Sequence, residues 1–264
     1  MRKSLRLAGI AAAVALAGGA VYGTGAAGAD APTARTTAEP YNIGKLVGDI
    51  KSYYGATQDA DGTWQASADS AYADDLARIE AGAKKDIAKA VKKAHHRGEK
   101  PAVVFDIDDT LLLSLDYEIK TNYVYNSASW AAYVAEADRP AVFGTPDLVK
   151  YAESKGVEVF YNSGLKESQR ASAVENLKKV GIDINLDADH VFLKDAANPP
   201  AYLSACATAT AWNCTTVQYK AGTRRHIESL GYDIVGNFGD QQSDLDGGYA
   251  DKTYKLPNPT YYVG

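Results

Sequence analysis

Residues 100–259 alternate between short apolar runs and segments that have the apolar spacing of helices. The runs of four or five apolar residues predict buried strands, and the segments between them, which open at positions such as Thr145-Pro146 and end at glycines, predict helices. We predict strands at 102–105, 157–161, 190–193 and 233–237, an edge strand at 254–256, and helices at 145–155, 169–180 and 224–230. This alternation predicts an α/β fold in which helices cover both faces of a mainly parallel sheet.

The region before this alternation has a helical pattern. Helices are predicted at 41–54 and 67–98, and the second has apolar residues at helical spacing and ends at Gly98. The predicted organisation is therefore a helical N-terminal segment at 41–99 followed by the α/β core at 100–264. Residues 30–40, rich in Ala, Thr and Pro, are expected to form a flexible lead-in.

The first 29 residues have the pattern of a secretory signal peptide. Three basic residues precede an apolar stretch at 7–20, and Ala27-Gly28-Ala29 supplies a small-x-small cleavage site. The apolar stretch is shorter than the roughly 20 residues that span a bilayer, although an uncleaved anchor is the alternative. We expect a secreted protein, extracellular or periplasmic, with no membrane attachment after cleavage.

Composition and charge narrow the class of partner. The 264 residues are 46% hydrophobic and 23% charged, which is ordinary for a globular protein. The net charge is −5, and cleavage after Ala29 would leave 25 basic and 33 acidic residues, a net charge of −8. Since phosphate backbones bind basic surfaces, no nucleic-acid partner is expected. The sequence leaves the oligomeric state open.

The chain has two cysteines, Cys206 and Cys214. In an exported chain two cysteines most simply form one disulfide, here closing a small loop. A zinc site is disfavoured because no histidine lies near them in the sequence.

Polar side chains follow the predicted strands, where ligands bind in open α/β sheets. Three carboxylates at one sheet edge would repel one another unless a cation lay among them, and oxygen ligands of this kind suit Mg²⁺. Any one of these elements alone fits a solvated loop equally well. In chain order the candidates are Asp106, Asp108 and Thr110, then Ser163 and Gly164, then Lys220, and finally Asp240 and Asp244.

The order of these elements resembles the signature of the haloacid dehalogenase (HAD) superfamily. The surrounding sequence is similar to its secreted acid phosphatase branch, the class B and plant acid phosphatase-like group. The resemblance covers about residues 100–259, and the segments that carry it are FDIDDTLL (105–112), VFYNSG (159–164), YKAGTRRHIESLGYDIVGNFGDQQSDL (219–245) and YKLPNP (254–259). It implies a HAD-like Rossmannoid fold with a small helical covering segment between Asp109 and Glu158.

The resemblance also implies catalytic roles. Asp106 would be the nucleophile that forms an aspartyl-phosphate, and Asp108 would protonate the leaving group and then activate water. Ser163, with backbone N–H groups at Gly164, would hold phosphate oxygens, and Lys220 would neutralise their charge.

Mg²⁺ is the implied cofactor. It would be bound by the Asp106 carboxylate, the backbone carbonyl of Asp108 and the Asp240 carboxylate. Asp244 would bind through water or orient Lys220, and Thr110 would support Asp106.

An acid at position 108 favours phosphatases and phosphomutases over the dehalogenase and ion-pumping branches. Secretion favours hydrolysis over a phosphomutase activity, because mutases interconvert cytoplasmic sugar phosphates. We therefore expect a secreted, Mg²⁺-dependent acid phosphatase that hydrolyses small-molecule phosphomonoesters at acidic to neutral pH. The alternatives are a secreted phosphotransferase, or a storage or phosphate-binding protein on a phosphatase scaffold.

One position departs from the family pattern. The family often has Thr-Gly-Arg after the second strand, whereas this chain has Ser163-Gly164-Leu165. The missing guanidinium leaves Arg170, Arg224 and Arg225 as candidate replacements.

Overall fold

A five-stranded parallel sheet lies at the centre of the computed structural model, which describes residues 39–263. The predicted signal peptide and residues 30–38 of the predicted lead-in lie outside the described residues. The helices and strands are α1 (Ile43–Tyr54), β1 (Thr57–Gln58), β2 (Trp64–Gln65), α2 (Ala71–Arg97), β3 (Lys100–Phe105), α3 (Leu115–Lys120), α4 (Ser127–Ala135), α5 (Thr145–Ser154), β4 (Glu158–Lys166), α6 (Arg170–Lys179), β5 (Val191–Lys194), β6 (Ala207–Thr208), β7 (Ala211–Trp212), α7 (Thr216–Ser229), β8 (Tyr232–Gly239), α8 (Gln242–Leu245) and β9 (Thr253–Lys255).

The strand order across the sheet is β5-β4-β3-β8-β9, and every neighbouring pair is parallel. The last residue of β3, Phe105, pairs with Tyr161 on one side and with Phe238 on the other. The segments that follow β3, β4 and β8 therefore leave the sheet at one edge. The predicted parallel sheet is confirmed, and β9 is the edge strand expected near residue 254.

Both faces of β3 are buried, which explains its uninterrupted apolar sequence. Val103 and Phe105 belong to a large core that includes apolar residues of α2, α5 and α6, whereas Ala102 and Val104 pack on the opposite face with Ile227 of α7. Because successive side chains of a strand point to opposite faces, the sheet separates two helical layers. This is the predicted α/β/α arrangement.

The helical N-terminal region packs into the same core as the sheet. Leu76, Ala83 and Ile87 of α2 are buried with Val103, and α2 contacts β3, β8 and α5. Asn42 and Ser70 cap the starts of α1 and α2 with their side chains. The small β1–β2 hairpin between these helices was not predicted, since its two-residue strands are too short to show a periodic pattern.

A short helical segment lies between β3 and α5, as the resemblance implied. We call residues 115–139 the covering segment; it contains α3 and α4. The Tyr117 ring packs edge-on against Trp130, with 5.1 Å between ring centroids, and the backbone N–H of Trp64 donates to Asp116 Oδ1 at 2.8 Å. The first contact packs α3 against α4 within the covering segment, and the second joins this segment to the N-terminal region.

The predicted disulfide between Cys206 and Cys214 is confirmed. It closes the β6–β7 hairpin, in which Ala207 pairs with Trp212. We call residues 206–214 the disulfide hairpin. Among the described residues, no helix combines the length and the apolar character needed to cross a membrane.

Arg224 of α7 anchors the loop that follows β8. The side chain is fully buried and donates to the backbone carbonyls of Gly248 at 2.8 Å, Asp244 at 2.5 Å and Asp246. Burial lowers the pKa of Arg224 to about 10, so the guanidinium remains charged at neutral pH. One buried cation thus fixes three carbonyls of one loop.

We expect Arg224→Met to destabilise the fold by about 3 kcal/mol, because three carbonyls, one of them on the buried Asp244, would lose their charged donor. Urea unfolding monitored by circular dichroism measures this change. The matched control is Arg225→Met, since Arg225 is exposed and donates one hydrogen bond of 3.2 Å to Tyr202; its effect should stay below about 1 kcal/mol. Equal effects of the two substitutions would contradict the anchoring role.

Candidate active site

A buried lysine joins two aspartates at the carboxyl edge of the sheet. Asp106 directly follows β3, and its N–H donates to the Phe238 carbonyl at 2.9 Å. Lys220 Nζ, on α7, lies 2.5 Å from Asp106 Oδ1 and 2.8 Å from Asp244 Oδ1, and it also donates to the Asn162 carbonyl. Burial opposes the charged ammonium, but attraction to Asp106 and Asp244 outweighs it and raises the pKa of Lys220 above its usual value.

Asp240 completes an acidic cluster. One carboxylate oxygen from each of Asp106, Asp240 and Asp244 lies within 4.8 Å of the other two. Asp240 Oδ2 accepts hydrogen bonds of 2.7 Å from both Gln241 and Asn258, and burial, together with repulsion from Asp244 and Asp109, raises the pKa of Asp240 to about 7. Three buried carboxylates facing one ammonium leave excess negative charge, and their oxygen donors fit a hard divalent cation.

The predicted supporting residues lie in this cluster. Thr110 Oγ1 is 3.4 Å from Asp240 Oδ1, so its hydroxyl meets Asp240 and not Asp106. Asp244 Oδ2 accepts from the Gln241 N–H at 3.0 Å while its other oxygen contacts Lys220. Of the two roles considered for Asp244, the geometry favours orientation of Lys220.

Asp108 points away from the cluster. Its carboxylate contacts Arg139 Nη1 at 2.5 Å and Ser163 Oγ at 3.3 Å. It lines a cavity of about 480 Å³, which we call the aromatic cavity and whose walls include Gly164, Tyr123, Trp130, Trp212 and Tyr261. Two aspartates separated by one residue therefore occupy different environments.

Arg139 lies at the candidate site but was not predicted from the sequence. It is 2% exposed, its guanidinium packs 5.5 Å from the Trp130 ring, and its backbone N–H and C=O are both bound by the Asn176 side chain. Its Nε and Nη2 atoms are buried and have no hydrogen-bond partner among the described residues. Because Arg139 lies in a loop without apolar periodicity, 31 positions from Asp108, no local pattern points to it.

The three arginines named from the sequence lie elsewhere. Arg170 pairs with Glu167 at 2.5 Å, Arg224 binds the carbonyls after β8, and Arg225 binds the Tyr202 carbonyl. Within residues 39–263 none of them donates a hydrogen bond to Asp106, Asp108 or Ser163. The guanidinium beside the candidate acid is supplied by the covering segment.

The Ser-Gly-Leu sequence is explained by the length of β4, which continues to Lys166. Ser163 Oγ accepts from the Leu165 N–H at 3.1 Å and contacts Asp108. The Leu165 side chain is buried in the large core, whereas Gly164, between the two, is exposed and lines the aromatic cavity. Since alternate residues of a strand point to opposite faces, position 165 faces away from the cavity.

Asp109 shapes the loop that carries Asp106 and Asp108. It has a left-handed backbone, with φ of 53°, and it is 2% exposed. Its carboxylate accepts from the N–H of Ser114 at 2.9 Å, from the Ser114 hydroxyl and from the Tyr261 hydroxyl at 2.9 Å. These bonds offset the strain of the backbone and were not predicted from the sequence.

Comparison with known proteins places this arrangement in a family. A family model of the HAD superfamily, subfamily IIIB (acid phosphatase), matches residues 56–264. The match includes every candidate residue named above.

Curated relatives are similar over 61–62% of this chain. A stem 28 kDa glycoprotein of Glycine max is 34% identical over 169 residues, 62% of this chain and 61% of the relative. Vegetative storage protein 1 of Arabidopsis thaliana is 32% identical, over 61% of this chain and 54% of the relative, and acid phosphatase 1 of Solanum lycopersicum is 30% identical, over 61% and 58%. The chain spans less than two thirds of the length of these relatives.

A solved structure shares the fold. The class C acid phosphatase from Bacillus anthracis superposes with a TM-score of 0.53 and 25% identity, over 70% of this chain and 78% of that chain. The family match over residues 56–264, together with this similarity, shows that the chain belongs to subfamily IIIB of the HAD superfamily, the acid phosphatase subfamily.

Proposed function

We propose that this protein is a secreted, Mg²⁺-dependent acid phosphatase that hydrolyses phosphomonoesters through an aspartyl-phosphate on Asp106. The observation that carries the proposal is the separation of two neighbouring aspartates into two environments. Asp106 lies against Lys220 in the acidic cluster, and Asp108 faces the aromatic cavity beside Ser163. A nucleophile and an acid–base group need different surroundings. Burial raises the pKa of Asp106 and the adjacent Lys220 ammonium acts against this rise, whereas Asp108 faces the cavity in which a leaving group would lie.

In the first step an Asp106 carboxylate oxygen attacks phosphorus, and the bond from phosphorus to the ester oxygen breaks. Asp108 transfers its proton to that oxygen, so the leaving group departs as a neutral alcohol. In the second step Asp108 removes a proton from water, whose oxygen attacks phosphorus and releases the Asp106 carboxylate. Inorganic phosphate leaves, and both aspartates return to their initial protonation states.

Lys220 and Ser163 would stabilise the charge on the transferring group. The ammonium already contacts Asp106 and therefore lies where negative charge is shared between nucleophile and phosphate. Asp106 and Asp240, with the Asp108 carbonyl, would hold Mg²⁺. When bound, the cation supplies electrostatic stabilisation of phosphate oxygens.

Two further parts of the proposal have separate support. Export is supported by the signal-like sequence at 1–29 and by the Cys206–Cys214 disulfide. Oxyanion binding is supported by the tungstate-bound structure of the Bacillus anthracis enzyme, which superposes on this chain with a TM-score of 0.53.

A storage function is the second candidate, since a vegetative storage protein is among the relatives. Asp106, Asp108 and Lys220 are all present here, and the first and last are in contact. A binding protein has no need of an intact nucleophile and acid, so these residues favour turnover.

We expect the chain to release p-nitrophenol from p-nitrophenyl phosphate with Mg²⁺ at pH 4–7, and Asp106→Asn to abolish release. The amide is isosteric with the carboxylate but is a far poorer nucleophile. A stopped assay of both proteins, with and without chelator, measures this. Oxyanion binding without release by the unsubstituted chain would favour the storage alternative, and new phosphate esters at high alcohol concentration would identify a phosphotransferase.

The acid role of Asp108 predicts a dependence on the leaving group. With an alkyl phosphate, Asp108→Asn should lower kcat/KM by about 10³-fold, whereas 2,4-dinitrophenyl phosphate, whose leaving group needs no proton, should be far less affected. Arg139→Lys should show the same pattern with a smaller loss, because it weakens the contact that orients Asp108. Arg170→Lys is the matched control, and a uniform loss on both esters would exclude this positioning role for Arg139.

The raised pKa of Asp240 predicts how metal and pH affect stability. Without metal, folded Asp240 keeps its proton up to about pH 7, while the unfolded chain releases it near pH 4, so stability should fall as pH rises between these values. Mg²⁺ replaces the proton, and it should therefore raise the thermal midpoint more at pH 8 than at pH 5. Asp240→Asn should remove the metal effect. An equal effect of Mg²⁺ at both pH values would contradict metal binding at this carboxylate.

A further inference from the structure

The aromatic cavity adjoins the candidate site where the alcohol part of a substrate would lie. Asp108 and Gly164 are among its lining residues, and its volume of about 480 Å³ is enough for a small organic group. Its walls come from the covering segment, the disulfide hairpin and the C-terminal residues, together with residues of β5 and α7. The aromatic residues in the lining are Tyr123, Tyr125, Trp130, Trp212, Tyr219, Tyr261 and Tyr262.

Three acidic or basic side chains line this cavity, and two of them have partners. Asp108 is paired with Arg139, and the Lys194 ammonium lies 4.9 Å from the centroid of the Trp212 ring. Glu118 of α3 is 6% exposed, and its carboxyl group has no hydrogen bond or ion pair within residues 39–263. The side chain is largely enclosed, but its carboxyl oxygens are open to the cavity and are therefore available to a group that enters it.

The surroundings of Glu118 favour a positively charged partner. Tyr123, Tyr125 and Trp130 line the same cavity, and aromatic faces attract ammonium groups. Burial and the nearby Asp109 raise the pKa of Glu118 to about 8, which is the behaviour of a carboxyl group with no cation beside it. A bound cation would favour the ionised form. A neutral alcohol part of a substrate would form no ion pair with Glu118.

We propose that the aromatic cavity selects phosphate monoesters of amino alcohols, with the substrate's ammonium group bound by Glu118 among the rings of the covering segment. This inference rests on the proposed phosphatase activity and deepens it. The phosphate would lie at Asp106 and Lys220, and the cation would lie in the cavity beyond Asp108. The covering segment would thus decide which ester is hydrolysed, while the sheet edge performs the reaction.

The test compares two esters of the same shape. Phosphocholine carries a quaternary nitrogen where 3,3-dimethylbutyl phosphate carries carbon, so the pair differs in charge alone. At pH 7.5, close to the pKa of Glu118, we expect kcat/KM to favour phosphocholine by about tenfold. Glu118→Gln should bring the ratio close to one. Glu136→Gln, which removes an exposed carboxylate of the same segment that does not line the cavity, should leave the ratio unchanged.

Failure of this inference can be separated from failure of the proposed function. If p-nitrophenyl phosphate is hydrolysed but the two esters react equally, or the neutral ester reacts faster, the cation site is wrong and the phosphatase assignment stands. If p-nitrophenyl phosphate is not hydrolysed, calorimetric titration with the two esters decides the question, because binding needs no turnover. Tighter binding of phosphocholine, lost in Glu118→Gln, would support the site, and equal dissociation constants would overturn it.

Discussion

The structure of this site depends on the burial of one ammonium among three carboxylates. Lys220 contacts Asp106 and Asp244, and Asp240 lies within the same cluster. Charges removed from water are costly unless they are paired, so the elements that carry them must be held in fixed positions. Asp106 and Asp240 directly follow the central strands β3 and β8. Lys220 lies on α7, and Arg224 of the same helix fixes the carbonyl of Asp244. The sheet order and the loop anchor are therefore requirements of the electrostatics.

The fold was predictable because its strands have a local signature. Runs such as 102–105 are apolar on both faces, and the glycines and caps between them mark the ends of helices. The elements that the pattern did not predict are either short or polar. The β1–β2 hairpin has two-residue strands, and the continuation of β4 to Lys166 passes through Asn162, Ser163 and Gly164, which resemble a loop in a single sequence. Pairing with β5 at Asn162 and again at Lys166, a tertiary contact, continues the strand across an irregularity at Ser163 and Gly164.

The candidate site was predictable where its residues follow strands. Asp106 and Asp240 meet because the parallel strands β3 and β8 end at one edge, and this follows from topology alone. Lys220 comes from α7, and the predicted start of this helix at residue 224 is wrong, since it begins at Thr216. Arg139 and Glu118 belong to the covering segment, whose path over the sheet is set by contacts such as Asn176 with the Arg139 backbone. Asn258 lies in the YKLPNP segment, which carried the resemblance but no role, and it donates to Asp240 at 2.7 Å. Residues of this kind act through tertiary contacts that no spacing rule encodes.

The buried charged cluster and the walls of the aromatic cavity differ in how well they tolerate substitution. A substitution in the buried cluster leaves an unpaired charge in the interior and so costs folding free energy as well as chemistry. The exposed parts of the cavity wall carry no such penalty, since Tyr125 and Tyr262 are exposed and the disulfide hairpin is held by a covalent bond independent of the buried charges. Asp108 lies at the boundary, with its carboxylate held by Arg139 of the covering segment. A change in the covering segment can therefore reach Asp108 through this ion pair, and a change at Tyr261 can reach the same loop through its hydrogen bond to Asp109. In the part of the chain that the structure describes, the exposed wall residues have no such contact with the loop.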